Sequence, residues 1–138
     1  MTRSNLIAAC LSLGLFAAAA AASEADTDWN RFTQIGVVEV LSTNDDDSTR
    51  TTKVWLAVVD GRGYIRTGNT GWGKNVVRDP NIVLRVGQEE LPLRVHFVED
   101  EGLRERVVQA FREKYGFEDK LISVVRGRNP KIMRLHSR

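Results

Sequence analysis

The chain reads as an α+β domain whose antiparallel sheet closes, or nearly closes, into a barrel. Three observations predict it. Apolar runs of strand and helix length follow the order strand, strand, strand, short helix, strand, strand, long helix, strand, which suits an antiparallel sheet with helices packed to one side. The run Lys53 to Val59 is apolar at consecutive positions, as in a strand buried on both faces. A stripe of Leu103, Val107, Ala110 and Phe111 recurs at helical spacing and marks one long helix that must cover something apolar. The number of strands and their two-sided burial favour closure over an open sheet.

Taken in order, residues 1–23 carry Arg3, then a continuous Ala-rich apolar run from Leu6 to Ala22 and small residues around Ser23, the pattern of a secretory signal peptide. A span so rich in Ala is a weak membrane anchor, so no stable membrane span is expected after cleavage. The expected location is periplasmic or secreted. No Arg-Arg pair stands in the leader to support export of a folded, loaded protein. Residues 24–32 are acidic and polar and read as a flexible tether, whose Trp29 and Phe32 can pin its end to the body. The domain proper is expected over 33–138.

Gln34 to Leu41 is rich in β-formers, with apolar residues on both faces, and Asn44-Asp45-Asp46-Asp47-Ser48 breaks it as a loop. The three carboxylates lack the Gly and the closing Glu of a twelve-residue calcium loop, so the expected reading is a solvated hairpin tip. After Lys53 to Val59, Asp60-Gly61-Arg62-Gly63 makes a hairpin turn into the return strand Tyr64 to Thr67. Trp72 to Arg78 spans one or two helical turns and Asp79-Pro80 stops it. Ile82 to Val86 and Leu91 to Val98 pair next, the second alternating Leu91, Leu93, Val95 and Phe97 with Pro92, Arg94 and His96. The long helix runs from Asp100 to Tyr115 with Gly116 as its stop. A short apolar run, Leu121 to Val125, and a closing strand, Lys131 to Leu135, complete the chain.

Composition excludes several functions. Cys10 is the only cysteine and lies in the leader, so the remaining chain has neither a disulfide nor a thiol nucleophile. The two histidines, His96 and His136, are far apart in sequence, and no Gly-x-Ser-x-Gly is present, so neither a His-rich metal site nor a hydrolytic triad is expected. Loss of Arg3 takes the formal net charge from +2 to +1, which excludes a general nucleic-acid binder. The C-terminal stretch is locally basic, with Arg126, Arg128, Lys131, Arg134 and Arg138, and reads as a solvated strand end rather than a polyanion site.

The chemistry-bearing stretch lies between Arg66 and Asn75. A strand ends in Arg66-Thr67, a loop with Gly68, Gly71 and Gly73 follows, and Lys74-Asn75 opens a helix. Exposed N–H groups and a helix dipole attract an anion, Arg and Lys neutralise it, and Thr and Asn add neutral hydrogen bonds. The same residues also suit ordinary turn chemistry, with Gly for positive φ and Asn for capping. Trp72 has three readings: a ring stacked on a bound ligand, a cap on a dimer interface, or a side chain packed on a neighbouring strand.

This order of residues resembles the pyridoxamine-phosphate-oxidase-like split β-barrels, and more distantly the deazaflavin-dependent nitroreductases. Trp72-Gly73-Lys74 stands where flavin-binding members carry a Ser-x-Lys helix start, and Asp79-Pro80 where they carry Asn-Pro. Two departures stand out. A Trp replaces the usual Ser, and Lys53 has Ala57-Val58 rather than a second basic residue at the far end of its strand. The resemblance implies an antiparallel split β-barrel with one long and one short helix. It implies a flavin-type cofactor, FMN or deazaflavin, held by Arg66, Thr67, Trp72, Lys74 and Asn75, with the cofactor rather than a protein side chain doing any redox chemistry. The alternative is a non-enzymatic module that binds another small ligand or a partner protein. A two-fold homodimer is expected, because one helix covers one opening of a barrel and leaves the outer face of Lys53–Val59 without cover.

Overall fold

The computed structural model describes residues 26–68, 70–126 and 130–138, with side chains outside 117–126. The leader expected over 1–23 lies outside the described residues. Among the described residues seven strands and two helices follow, one strand more before the short helix than expected: β1 (Val37–Thr43), β2 (Thr49–Trp55), β3 (Ala57–Val59), β4 (Arg62–Thr67), α1 (Gly71–Arg78), β5 (Asn81–Val86), β6 (Glu89–Phe97), α2 (Glu101–Arg126) and β7 (Lys131–Ser137). All strand pairs are antiparallel, in the order β2-β1-β5-β6-β7-β4-β3. The two ends of that order, β2 and β3, are consecutive in the chain and separated only by Leu56. One bent strand therefore belongs to both ends of the sheet, and the sheet curls into a split barrel.

The expected single strand Lys53–Val59 is thus two strands with a bend. The bend re-aims the chain from β1 (Trp55 opposite Val37) to β4 (Ala57 opposite Tyr64). At Asp60-Gly61 both residues have positive φ, 50° and 72°, and join Val59 to Arg62 through two residues, the backbone of a type I′ hairpin whose twist matches its strands.

Alternation along each strand sorts side chains into two cores. Inside the barrel lie Val38, Val40, Val54, Leu56, Ile65, Ile82, Leu84, Leu93, Val95, Met133 and Leu135, with Trp72 and Val76 of α1 in the same cluster. Outside, under α2, lie Ala57, Tyr64 and Ile132 against Val107 and Phe111, with Trp55, Val59 and Tyr115 partly buried beside them. Full burial of Val107 and Phe111 contributes about 1.5–3 kcal/mol each. This second core corrects one expectation. The strand is apolar on both faces because α2 covers its outer face within one protomer, so that face does not demand a partner subunit.

The packed body also starts before residue 33. Trp29–Phe32 form a 3-10 turn capped by Asp28, and both aromatic side chains are buried in the inner core. Gly63 makes the room: a Cβ there would stand 2.5–2.7 Å from three carbons of the Trp29 indole.

The last residues of the first arm of α2 hold the Leu56 bend. The Tyr115 hydroxyl lies 2.9 Å from the Gly36 carbonyl, 2.5 Å from the Leu56 carbonyl and 3.1 Å from the Leu56 N–H. Lys114 Nζ donates to the Leu56 carbonyl at 2.9 Å and also to that of Ile35. At the bend the Leu56 N–H keeps a backbone partner in the Gly36 carbonyl at 3.0 Å, and these two side chains serve the Leu56 carbonyl. Burial pushes the Tyr115 hydroxyl up to about 12 and the Lys114 ammonium down. Gly116, at φ 56° and ψ −127°, ends the regular run as expected. Helical backbone then resumes to Arg126, beyond the stop that the sequence predicted.

Candidate phosphate-binding site

The site begins where β4 runs out. Thr67 is buried at its end, and its hydroxyl lies 2.8 Å from that of Thr70, the N-cap of α1. Thr70 Oγ1 accepts the Gly73 N–H at 3.3 Å, and its carbonyl accepts the Lys74 N–H at 3.1 Å. The helix can start this close to β4 only because residue 73 has no side chain. A Cβ there would meet Thr67 Oγ1 at 2.9 Å and the Gly68 carbonyl at 3.0 Å.

Asn75 is buried and holds the β1–β2 hairpin tip against α1. Its amide donates to Ser42 Oγ at 3.2 Å and Asn44 Oδ1 at 2.9 Å. Arg50 Nε donates to the same Asn44 oxygen at 3.1 Å. That bond lays the Arg50 guanidinium over the first helical residue, where a Cβ on Gly71 would stand 3.2 Å from Nη1. Lys74, in the same first turn, is exposed. Arg78, in the last turn, pairs with Asp45 and donates to the Thr43 carbonyl at 2.5 Å, anchoring the tip from the other side.

The five residues expected at the site therefore take different positions. Thr67 and Asn75 are brought together as buried supports of the loop and tip. Trp72 is 4 % exposed and packed in the inner core, the third of its three readings. Lys74 faces solvent at the helix start. Arg66 is on the opposite face of β4 from Thr67, under α2, with its guanidinium 4.5 Å from the Phe111 ring and 5.6 Å from the Trp55 ring. Neighbours on a strand point to opposite faces, so Arg66 and Thr67 cannot converge on one ligand from adjacent positions. Arg50 was not anticipated. Its only sequence signal is a basic residue at the start of a strand, and what brings it to α1 is the hairpin register, with Arg50 opposite Ser42.

A sequence model of the family described as "Uncharacterized protein conserved in bacteria (DUF2255)" matches residues 28–134. The chain belongs to this family. The match takes in both anchoring aromatics and runs into β7, so the DUF2255 region is the packed body seen here. No curated protein matches this DUF2255 sequence. Solved structures share its fold at low identity. The heme storage protein HutZ from Vibrio cholerae is 11 % identical with a TM-score of 0.63, over 79 % of this chain and 87 % of that one. An F420-H2 dependent reductase, FDR-A, is 14 % identical with a TM-score of 0.59, over 75 % and 95 %. A chain described as a domain-swapped dimer is 14 % identical with a TM-score of 0.59, over 75 % and 81 %. Such likeness establishes that this DUF2255 member has the pyridoxamine-phosphate-oxidase-like split-barrel fold. Among the described residues no helix is long and apolar enough to cross a membrane, and no three His, Cys, Asp or Glu side chains converge as a metal site.

Proposed function

We propose that this protein is an exported split-barrel domain that binds a phosphate-bearing, flavin-type cofactor, FMN or deazaflavin, at the start of α1. One observation carries the reading. Arg50 and Lys74 stand at the positive end of a helix dipole whose first turn holds no acid. Two cations at that end are the wrong sign for the dipole and disfavour the arrangement, unless an anion sits between them. The residues present fit a phosphate: a helix start, Gly71 for close approach, and two cations. Arg66 is assigned to α2 docking rather than to the ligand.

A second reading has its own support. Trp72 is buried, so the loop offers no exposed ring for a flavin to stack on. On that reading the same cradle holds a phosphate-bearing ligand other than a flavin, in a binding module without redox chemistry.

Export rests on the leader-like composition of residues 1–23. A two-fold homodimer remains the proposed assembly, supported by exposed Val37 and Val77 and by the domain-swapped relative.

The test is titration of FMN and of F420 against the purified protein, read by fluorescence and absorbance. Tight binding is expected, with Lys74→Ala and Arg50→Ala each weakening it about tenfold or more. Absence of any quenching sinks the flavin reading. Phosphate-dependent binding of a non-flavin ligand that also requires Arg50 and Lys74 selects the second.

A further inference from the structure

The outer face of β4, β7 and β6 carries a second cationic surface, on the side of the sheet away from the inner core that Trp72 and Val76 of α1 join. His96 and His136, 40 positions apart in sequence, meet edge-on with ring centroids 4.1 Å apart. Arg94 stands opposite His136, and Arg134 opposite His96. Tyr64 also pairs with Arg134, and Arg62 lies two residues before Tyr64 on the same face. All five basic residues lie on the side away from Leu93, Val95, Met133 and Leu135, which fill the barrel. Strand spacing and rise make this patch about 10 Å by 7 Å.

Among the described residues no carboxylate pairs with Arg62, Arg94 or Arg134, and Asp79 is engaged with the N–H of Asn81, which stands opposite Arg94. Asp60 at the nearby turn is paired with Arg106 at 2.8 Å. Asp26 is the carboxylate that acts on His136, against the charges of His96 and Arg62. Arg134 Nε is buried and makes no hydrogen bond among the described residues. A metal cation is the wrong guest among three guanidinium groups. A nucleic acid needs a longer basic track than this patch provides.

We infer that this face binds a small, soluble oligophosphate, through Arg62, Arg94 and Arg134, with His96 and His136 as protonatable contacts that tighten binding in mild acid. Guanidinium forks supply charge-assisted hydrogen bonds at neutral pH. Protonation of either imidazole adds a donor and a charge, and the bound anion favours that protonation.

The experiment is calorimetric titration of tripolyphosphate into the protein, with backbone amide shifts followed by NMR. Shifts are expected along β4, β6 and β7. Arg94→Gln/Arg134→Gln is expected to lower affinity about tenfold or more, with Arg112→Gln on the exposed face of α2 as the neutral control. Tripolyphosphate takes up protons itself, so His96→Gln/His136→Gln sets the reference. Wild type should gain affinity over this variant between about pH 7.5 and about pH 5.5, while the two agree at the higher pH. Shifts confined to Gly71–Lys74 would place the phosphate on α1 and overturn the inference, leaving the proposed function intact. Equal pH dependence in wild type and the histidine variant would also overturn it. So would preferential binding to vesicles of anionic phospholipid.

Discussion

Replacing Tyr115 by phenylalanine isolates the contact that holds the bend at Leu56. The hydroxyl serves the Gly36 carbonyl and both backbone groups of Leu56, a residue with no exposed surface. Each group keeps some other partner: Leu56 N–H still donates to Gly36 O at 3.0 Å, and Lys114 still serves the Leu56 carbonyl. The loss is therefore less than that of a fully stranded group, about 1–2 kcal/mol near neutral pH. The stacked ring on Trp55, 4.2 Å away, is retained.

Titration reports the burial of the same hydroxyl, since burial raises it while the bond to Leu56 and the charge of Arg66 lower it. The Tyr115 hydroxyl is raised from 10.0 to about 12, so its contribution is complete below about pH 10 and lost as pH rises through about 12. That difference is worth at most about 2.7 kcal/mol, and partial exposure of the ring reduces it to about 1–2 kcal/mol. Urea unfolding of wild type and Tyr115→Phe, followed by circular dichroism from about pH 7 to about pH 11, should show two things. The variant is less stable at neutrality, and its stability declines less steeply above about pH 10. Equal midpoints at neutral pH would refute the clamp, and parallel alkaline slopes would refute the burial of the hydroxyl.

Other outcomes follow from particular contacts. Gly63→Ala pushes a methyl into the Trp29 indole and should cost about 1–3 kcal/mol by thermal melt, and the same change made on a Trp29→Ala background, itself destabilised by loss of the buried ring, should add much less. Gly73→Ala presses on Thr67 Oγ1 and the Gly68 carbonyl; a loss of about 1–3 kcal/mol by urea unfolding is expected, with weaker ligand binding at α1. Burial, with the neighbouring His96, holds His136 below its ordinary 6.5. The folded state then takes up fewer protons than the unfolded chain, and stability is lost as pH falls from about 6.5 through the depressed value. His136→Gln should flatten that acid slope in denaturant titrations from about pH 7.5 to about pH 4.5.

The element order was legible because its signals are local. Alternation marked β6, Asp60-Gly61-Arg62-Gly63 marked a hairpin turn that the fold makes in its first two residues, and Gly116 ended a stripe at helical spacing. What was not legible depends on register. Arg50 reaches α1 only because β2 pairs with β1 from Thr49 opposite Thr43 onward. His96 and His136 meet only because β6 and β7 pair as they do. The apolar outer face of the bent strand was visible, but its cover was assigned to a second subunit when α2 of the same chain supplies it. Arg66-Thr67 looked like one binding unit because adjacency in sequence was taken as adjacency in space, which a strand reverses.

The position of β7 has a consequence for when this fold can form. It is the last strand in chain order, yet it lies between β6 and β4, bonded to both. Until residues 131–137 have been made, β4 and β6 have no ladder between them, α2 lacks Ile132 beneath it, and the bent strand at Leu56 has nothing to close onto. Hairpins β1–β2 and β5–β6 can form from local contacts, but the barrel cannot grow from its N-terminal end. A nascent chain of this protein stays open and extensible until that strand arrives, and closure of such distant pairings is then slow, on the order of milliseconds to seconds.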